Sequence, residues 1–181
     1  VGYYHNHQIK EKIKSIVKNK NIPPSKVGDF LKTIFRPPFS SSPAPDEAYP
    51  DGAIAAEALR MIDNLSNNGK PFFLAVGFKR PHLPFSAPQK YWNLYGRDRI
   101  PLAAFQQRGS NIGRLAFKGP GEISKYPMDD RFYTTDNNGQ LNLDTEFQRE
   151  LVHGYYACTS FIDFQIGKII NKLKKEGLMN N

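Results

Sequence analysis

Lys79, Arg80 and His82 stand together in Lys79-Arg80-Pro81-His82-Leu83-Pro84. Two cations and an imidazole, held between residues of restricted φ, suit the grip of an anion. His82 can contact such an anion or give a proton to a leaving group. It can equally be a loop histidine that bonds backbone, and position alone leaves the two readings level. Lys79 and Arg80 can hold an anionic substrate, or be solvated or paired with an acidic loop; at most one need face a site.

These residues need an element to carry them. Pro71-Phe72-Phe73-Leu74-Ala75-Val76-Gly77-Phe78 is a continuous apolar run with aromatic and β-branched members. Such a run predicts a strand covered on both faces, as in a parallel sheet. Pro81 and Pro84 cannot extend a central strand. The polar trio therefore falls beyond the strand's carboxyl end, where open α/β sheets bind ligands. Upstream, Asp51 reads as an N-cap. Ile54, Ala55, Ala58, Leu59, Ile62 and Leu65 follow at helical spacing, and Asn67-Asn68-Gly69 closes the helix. Helix, short loop and buried strand make half of a βαβ unit.

Elsewhere, residues 8–20 alternate Ile9, Ile13, Ile16 and Val17 with lysines, an amphipathic helix ended by Asn21-Ile22-Pro23-Pro24. Residues 36–50 are rich in proline and serine and read as an extended loop. Residues 97–144 carry no clear period, and a stretch that long is functional, disordered or an insertion. From Thr145, the residues Phe147, Leu151, Tyr155, Cys158, Ile162, Ile166, Ile169 and Leu173 recur at steps of three and four. They predict one helix of about 30 residues, or about 45 Å. Thr145 with Gln148 reads as a capping box, and Gly177 as the residue that ends the helix.

Other reactive residues read as structural. Cys158, the only cysteine, lies on the apolar stripe and is expected to be core rather than nucleophile; one cysteine also excludes an internal disulfide and a cysteine-rich metal site. Asp129-Asp130 would need further oxygen ligands to bind a hard cation, and it follows Pro127-Met128 rather than an apolar strand, so it reads as a turn or solvated pair. His5 and His7 resemble a chelating pair but sit near lysines at a terminus. Asp163 reads as a hydrogen-bond partner beside the helix stripe. No metal ligand is assigned.

The formal net charge is +8, which raises nucleic acid as a partner. Much of the excess lies in Lys10, Lys12, Lys14, Lys18 and Lys20, and in Lys168, Lys172, Lys174 and Lys175, as expected of solvated helix faces. No zinc-finger, basic-zipper or RNP pattern is present, so no nucleic-acid partner is expected. No apolar run of about 18 residues or signal peptide is visible, so no membrane partner is expected either. The 181 residues suffice for one domain with a core.

Three blocks resemble the type I sulfatases, in particular the iduronate-2-sulfatase-like branch. They are Pro45-Asp46-Glu47-Ala48-Tyr49-Pro50-Asp51-Gly52, the segment from Pro71 to Phe85 with its Pro81-His82-Leu83-Pro84 turn, and Gly154-Tyr155-Tyr156-Ala157-Cys158-Thr159-Ser160-Phe161-Ile162-Asp163-Phe164-Gln165-Ile166-Gly167. The resemblance runs across residues 45–181 in order and spacing; residues 1–44 carry little of it. It implies an α/β, alkaline-phosphatase-like fold, a mostly parallel sheet flanked by helices with a long C-terminal helix. It implies hydrolysis of sulfate esters, here of sulfated carbohydrate, with His82 contacting the sulfate and Arg80 or Lys79 assisting. It also implies calcium, a formylglycine made from a C/S-x-P-x-R motif, and a periplasmic, secreted or lysosomal location.

The departures are as specific as the match. No C/S-x-P-x-R is present, Cys158 is followed by Thr159-Ser160-Phe161, and no early Asp-Asp follows a strand. A late D-H-G or D-N-G would be expected just past Asn181. The expectation is the middle of a single sulfatase catalytic domain over residues 1–181, without nucleophile or metal ligands and inactive alone. Two other readings stay open: a basic module that holds a polyanion without catalysis, and a phosphoesterase of the same superfamily.

Overall fold

The structure is a computed structural model that describes residues 7–30, 38–106, 111, 121–126, 133–135 and 141–180. Helix α1 spans His7–Asn19, as the lysine–isoleucine pattern predicts. Asn21 takes a positive φ of 49° and the chain turns away. Strand β1 is Phe39–Ser42, within the segment expected to be loop. It pairs in parallel with β2, Phe85–Pro88, in the register Phe39↔Phe85 to Ser42↔Pro88. Helix α2, Pro50–Ser66, lies between the two strands in the chain. The parallel crossover is therefore present, but its second strand is 85–88.

Residues 71–79 form no strand and pair with no strand among the described residues. From Leu74 to Lys79 their burial alternates with period two, as an extended chain requires. Phe73 is 92% exposed. Apolar composition alone suggests a strand, but a strand also needs a neighbour to accept its hydrogen bonds.

Tyr49 rather than Asp51 caps α2, and Pro50 occupies the first turn, where its missing N–H costs nothing. Asp51, Gly52, Ala55, Ala58 and Ile62 face inward. A Cβ on Gly52 would lie 1.9 Å from the Asp46 carbonyl oxygen, so only glycine lets the helix start against the 3-10 turn Asp46–Ala48. Gly69, at φ 61°, ends the turn after α2.

A short helix α3, Gln89–Trp92, turns Tyr91 and Trp92 into the core. A β-hairpin of β3, Tyr133–Thr135, and β4, Leu141–Leu143, precedes helix α4, Thr145–Lys175. At 31 residues α4 has the expected length. Its cap is Asp144, whose carboxylate accepts from the Glu146 and Phe147 N–H groups; Thr145 and Gln148 do not form the expected box. Gly177, at φ 69°, ends it as expected. The buried face is Phe147, His153, Gly154, Ala157, Cys158, Phe161, Ile162 and Gln165, whereas Tyr155 and Ile166 are exposed. Small residues set this rotation: a Cβ on Gly154 would meet the Phe85 Cβ at 2.8 Å and the Trp92 ring at 3.0 Å. The core joins Ala87, Tyr91 and Trp92 to Ala157, Cys158, Phe161 and Ile162.

A buried carboxylate ties the layers together. Asp46 accepts from the Tyr91 hydroxyl at 2.9 Å and from Gln165 Nε2 at 3.0 Å, with Lys90 Nζ at 2.8 Å and Lys168 Nζ at 3.4 Å. Burial pushes its pKa up, but the bonds from Lys90, Gln165 and Tyr91 outweigh this and hold it below the usual range. A carboxyl depressed in the fold stabilises above its unfolded pKa, and that stabilisation is lost as pH falls through the folded value. Asp46→Ala should cost about 1–3 kcal/mol at neutral pH, because it strands buried donors. Denaturant melts of the full-length protein should show this loss near pH 7 and a shrinking gap from wild type below about pH 4.

Candidate active site

The Lys79–Pro84 turn is held from beneath. The His82 N–H donates to the Lys79 carbonyl at 3.0 Å, closing a tight turn. Asp51 reaches across from α2: its Oδ1 accepts from the Lys79 N–H at 2.8 Å and its Oδ2 from the Arg80 N–H at 3.2 Å. The Arg80–Pro81 and Leu83–Pro84 peptide bonds are cis. The Phe85 N–H then donates to the Pro38 carbonyl, and β2 begins. The turn thus enters a strand rather than leaving one.

Arg80 is 6% exposed. Its Nε donates to the Ser86 carbonyl at 3.1 Å and its Nη1 to the His82 carbonyl at 3.2 Å. The guanidinium therefore lies under the turn as a brace and a fixed positive charge. Lys79 is exposed. The His82 side chain is 58% exposed. Its Nδ1 lies 2.9 Å from the Leu83 carbonyl oxygen, so a proton on Nδ1 completes that bond. Nε2 lies 3.3 Å from Glu122 Oε2. One ring nitrogen thus bonds backbone, as the structural reading expects, and the other lies at the half-exposed edge beside Glu122. The Nδ1 bond fixes which nitrogen that is.

Of the other residues considered, Cys158 and His153 take structural places. Cys158 is fully buried, and burial pushes its thiol up to about 12, which removes it as a nucleophile at neutral pH. His153 is buried with Nε2 against the Trp92 carbonyl at 2.8 Å. Asp163 is exposed rather than packed beside the stripe. His5, Asp129 and Asp130 lie outside the described residues. Among the described residues no cluster of three or more His, Cys, Asp or Glu is placed to hold a metal ion. With the one thiol sealed in the core, these residues do not fit calcium or a formylglycine nucleophile. No described helix is long and apolar enough to cross a membrane.

Sequence reasoning missed Asp51, Ser86 and Glu122. A signal for Asp51 existed: Pro50 favours the first helical position, which moves Asp51 inside the helix and off the cap. Nothing local points to the other two.

The turn thus carries one half-exposed imidazole above one buried guanidinium. The comparisons with known proteins give the family. The chain resembles mouse iduronate 2-sulfatase, with 28% identity over 144 residues, covering 80% of this chain and 26% of the relative. Human iduronate 2-sulfatase is 27% identical over 137 residues, covering 76% and 24%. A sulfatase of Formosa agariphila is 30% identical over 140 residues, covering 77% and 25%. The chain thus spans about a quarter of the length of these relatives. The Sulfatase family model matches residues 2–181, and with that match added to the three motif blocks and the Pro-His-Leu-Pro turn, the chain belongs to the sulfatase family.

Proposed function

We propose that this chain supplies one wall of the active site of a sulfuric ester hydrolase acting on sulfated carbohydrate. His82 contacts the sulfate through Nε2 and, when protonated there, can give a proton to the leaving alcohol. Arg80 adds a fixed positive charge beneath the turn, and Lys79 an exposed one at its rim. The observation that supports the reading is the half-exposed His82 ring on the turn, its Nδ1 tied to Leu83 and its Nε2 at the surface beside Glu122.

Sulfate-ester cleavage also needs a nucleophile and a cation that polarises the sulfuryl oxygens. The reading assigns these, as formylglycine and calcium, to segments of the full-length protein outside the chain, in a periplasmic, secreted or lysosomal setting. A polyanion-binding module is less well supported. Lys168 pairs with Asp46 and Glu47, and Lys172 with Asp63 and Glu176, so much of α4's charge is engaged internally.

The test is twofold. The reading frame should encode C/S-x-P-x-R upstream of Val1. The purified full-length protein should hydrolyse a sulfated sugar or aryl sulfate and lose that activity on calcium chelation. Turnover of phosphate esters in its place, with a Thr or Ser nucleophile and paired zinc ligands upstream, would establish the phosphoesterase instead.

A further inference from the structure

We infer that Asp51 is the positioning residue of this site: by accepting the backbone N–H groups of both Lys79 and Arg80, its buried carboxylate sets the direction in which His82 faces the substrate anion. The inference rests on the proposed sulfate site.

Asp51 is 2% exposed. A carboxylate that deep needs strong partners. It takes them 28 and 29 residues away, and both are backbone donors of the site turn. Residues 71–79 make no strand ladder among the described residues. The Lys79 and Arg80 amides therefore have no sheet partner there, and the carboxylate takes that place. Two successive N–H groups converging on one carboxylate fix the intervening peptide plane. From that plane follow the Arg80 brace on the His82 carbonyl and the His82 N–H bond to Lys79.

Asp51 cannot drift, because its neighbour is pinned. Gly52 sits so close to the Asp46 backbone that a Cβ has no room. Asp46 is itself held by Tyr91 and Gln165. Rigid contacts thus run from the core to the imidazole. Catalysis is sensitive to such support, since misplacing a reacting group by about 1 Å can cost on the order of 10²-fold.

The test uses Asp51→Asn in the full-length protein. Asn keeps the shape but turns one acceptor into a donor aimed at an N–H. The kcat/KM for a sulfate ester should fall about 10- to 100-fold. The double variant Asp51→Asn/His82→Ala should be no slower than His82→Ala alone, because both losses act through one imidazole. Hydrogen exchange at the Lys79 and Arg80 amides should accelerate at least about tenfold while Phe161 and Ile162 keep their protection. Multiplying losses in the double variant, or unchanged exchange at residues 79 and 80, would overturn the inference. If Asp51→Asn does not fold, the wild type decides: both amides must be protected, and unprotected exchange at either refutes the contact. The exchange measurement needs no sulfatase activity, so failure of the proposed function and failure of the Asp51 contact register separately.

Discussion

Replacing His82 with alanine in the full-length protein should lower its turnover of sulfate esters by at least about tenfold, toward the 10²–10⁴-fold that general acid–base groups contribute. The ring is 58% exposed and lies outside the core, so the loss comes from the site and not from unfolding. Its kinetic form separates the two roles of His82. If Nε2 only holds the sulfate, KM rises and kcat stays. If it protonates the leaving alcohol, kcat falls, and falls less for substrates whose leaving group needs no proton. Steady-state kinetics on an alkyl and an aryl sulfate make the distinction. Unchanged turnover of both would remove His82, and with it the assignment of this turn.

The second large effect concerns the 181-residue chain alone. It should melt without a sharp cooperative transition, bind a hydrophobic dye, and aggregate. Phe73 is 92% exposed and Phe105 70% exposed. Along α4, Ile166 and Ile170 are exposed on one flank of the buried face and Phe164 on the other. The described sheets have two strands each, and such sheets are marginal without further strands or a helix over an apolar face. Apolar surface of this kind favours association over a unique monomer. Phe73→Ser should raise the solubility of the isolated chain. Circular dichroism melts with light scattering check both expectations, and a sharp two-state melt of a monomer would contradict the first.

Much of this was legible along the chain. The period of three and four after Thr145 marked α4 to within a residue, because a helix that packs on a core must repeat its apolar side chains at its own pitch. Helix α2 and its Gly69 ending were legible for the same reason. The errors share a cause. Composition suggests a strand at 71–78 and a loop at the serine-rich Phe39–Ser42, yet among the described residues the second pairs and the first does not. Strand formation depends on which other segment offers a matching edge, which local composition does not encode. The stripe of α4 was placed partly wrong because Gly154 and Ala157 carry little hydrophobic signal, although they let the helix approach Phe85 and Trp92 most closely.

The site divides in the same way. By itself the sequence determined which residues stand together as candidates for an anion site: Lys79, Arg80 and His82, grouped by prolines at a chain reversal, because residue type and proline stiffness are local properties. Only the tertiary structure decided their surroundings. It put Arg80 beneath the turn, tied Nδ1 of His82 to Leu83, and brought Asp51 to the two amides 28 and 29 residues away. A buried polar group must find its partner wherever packing places one, and that distance through space is not written in the spacing along the chain.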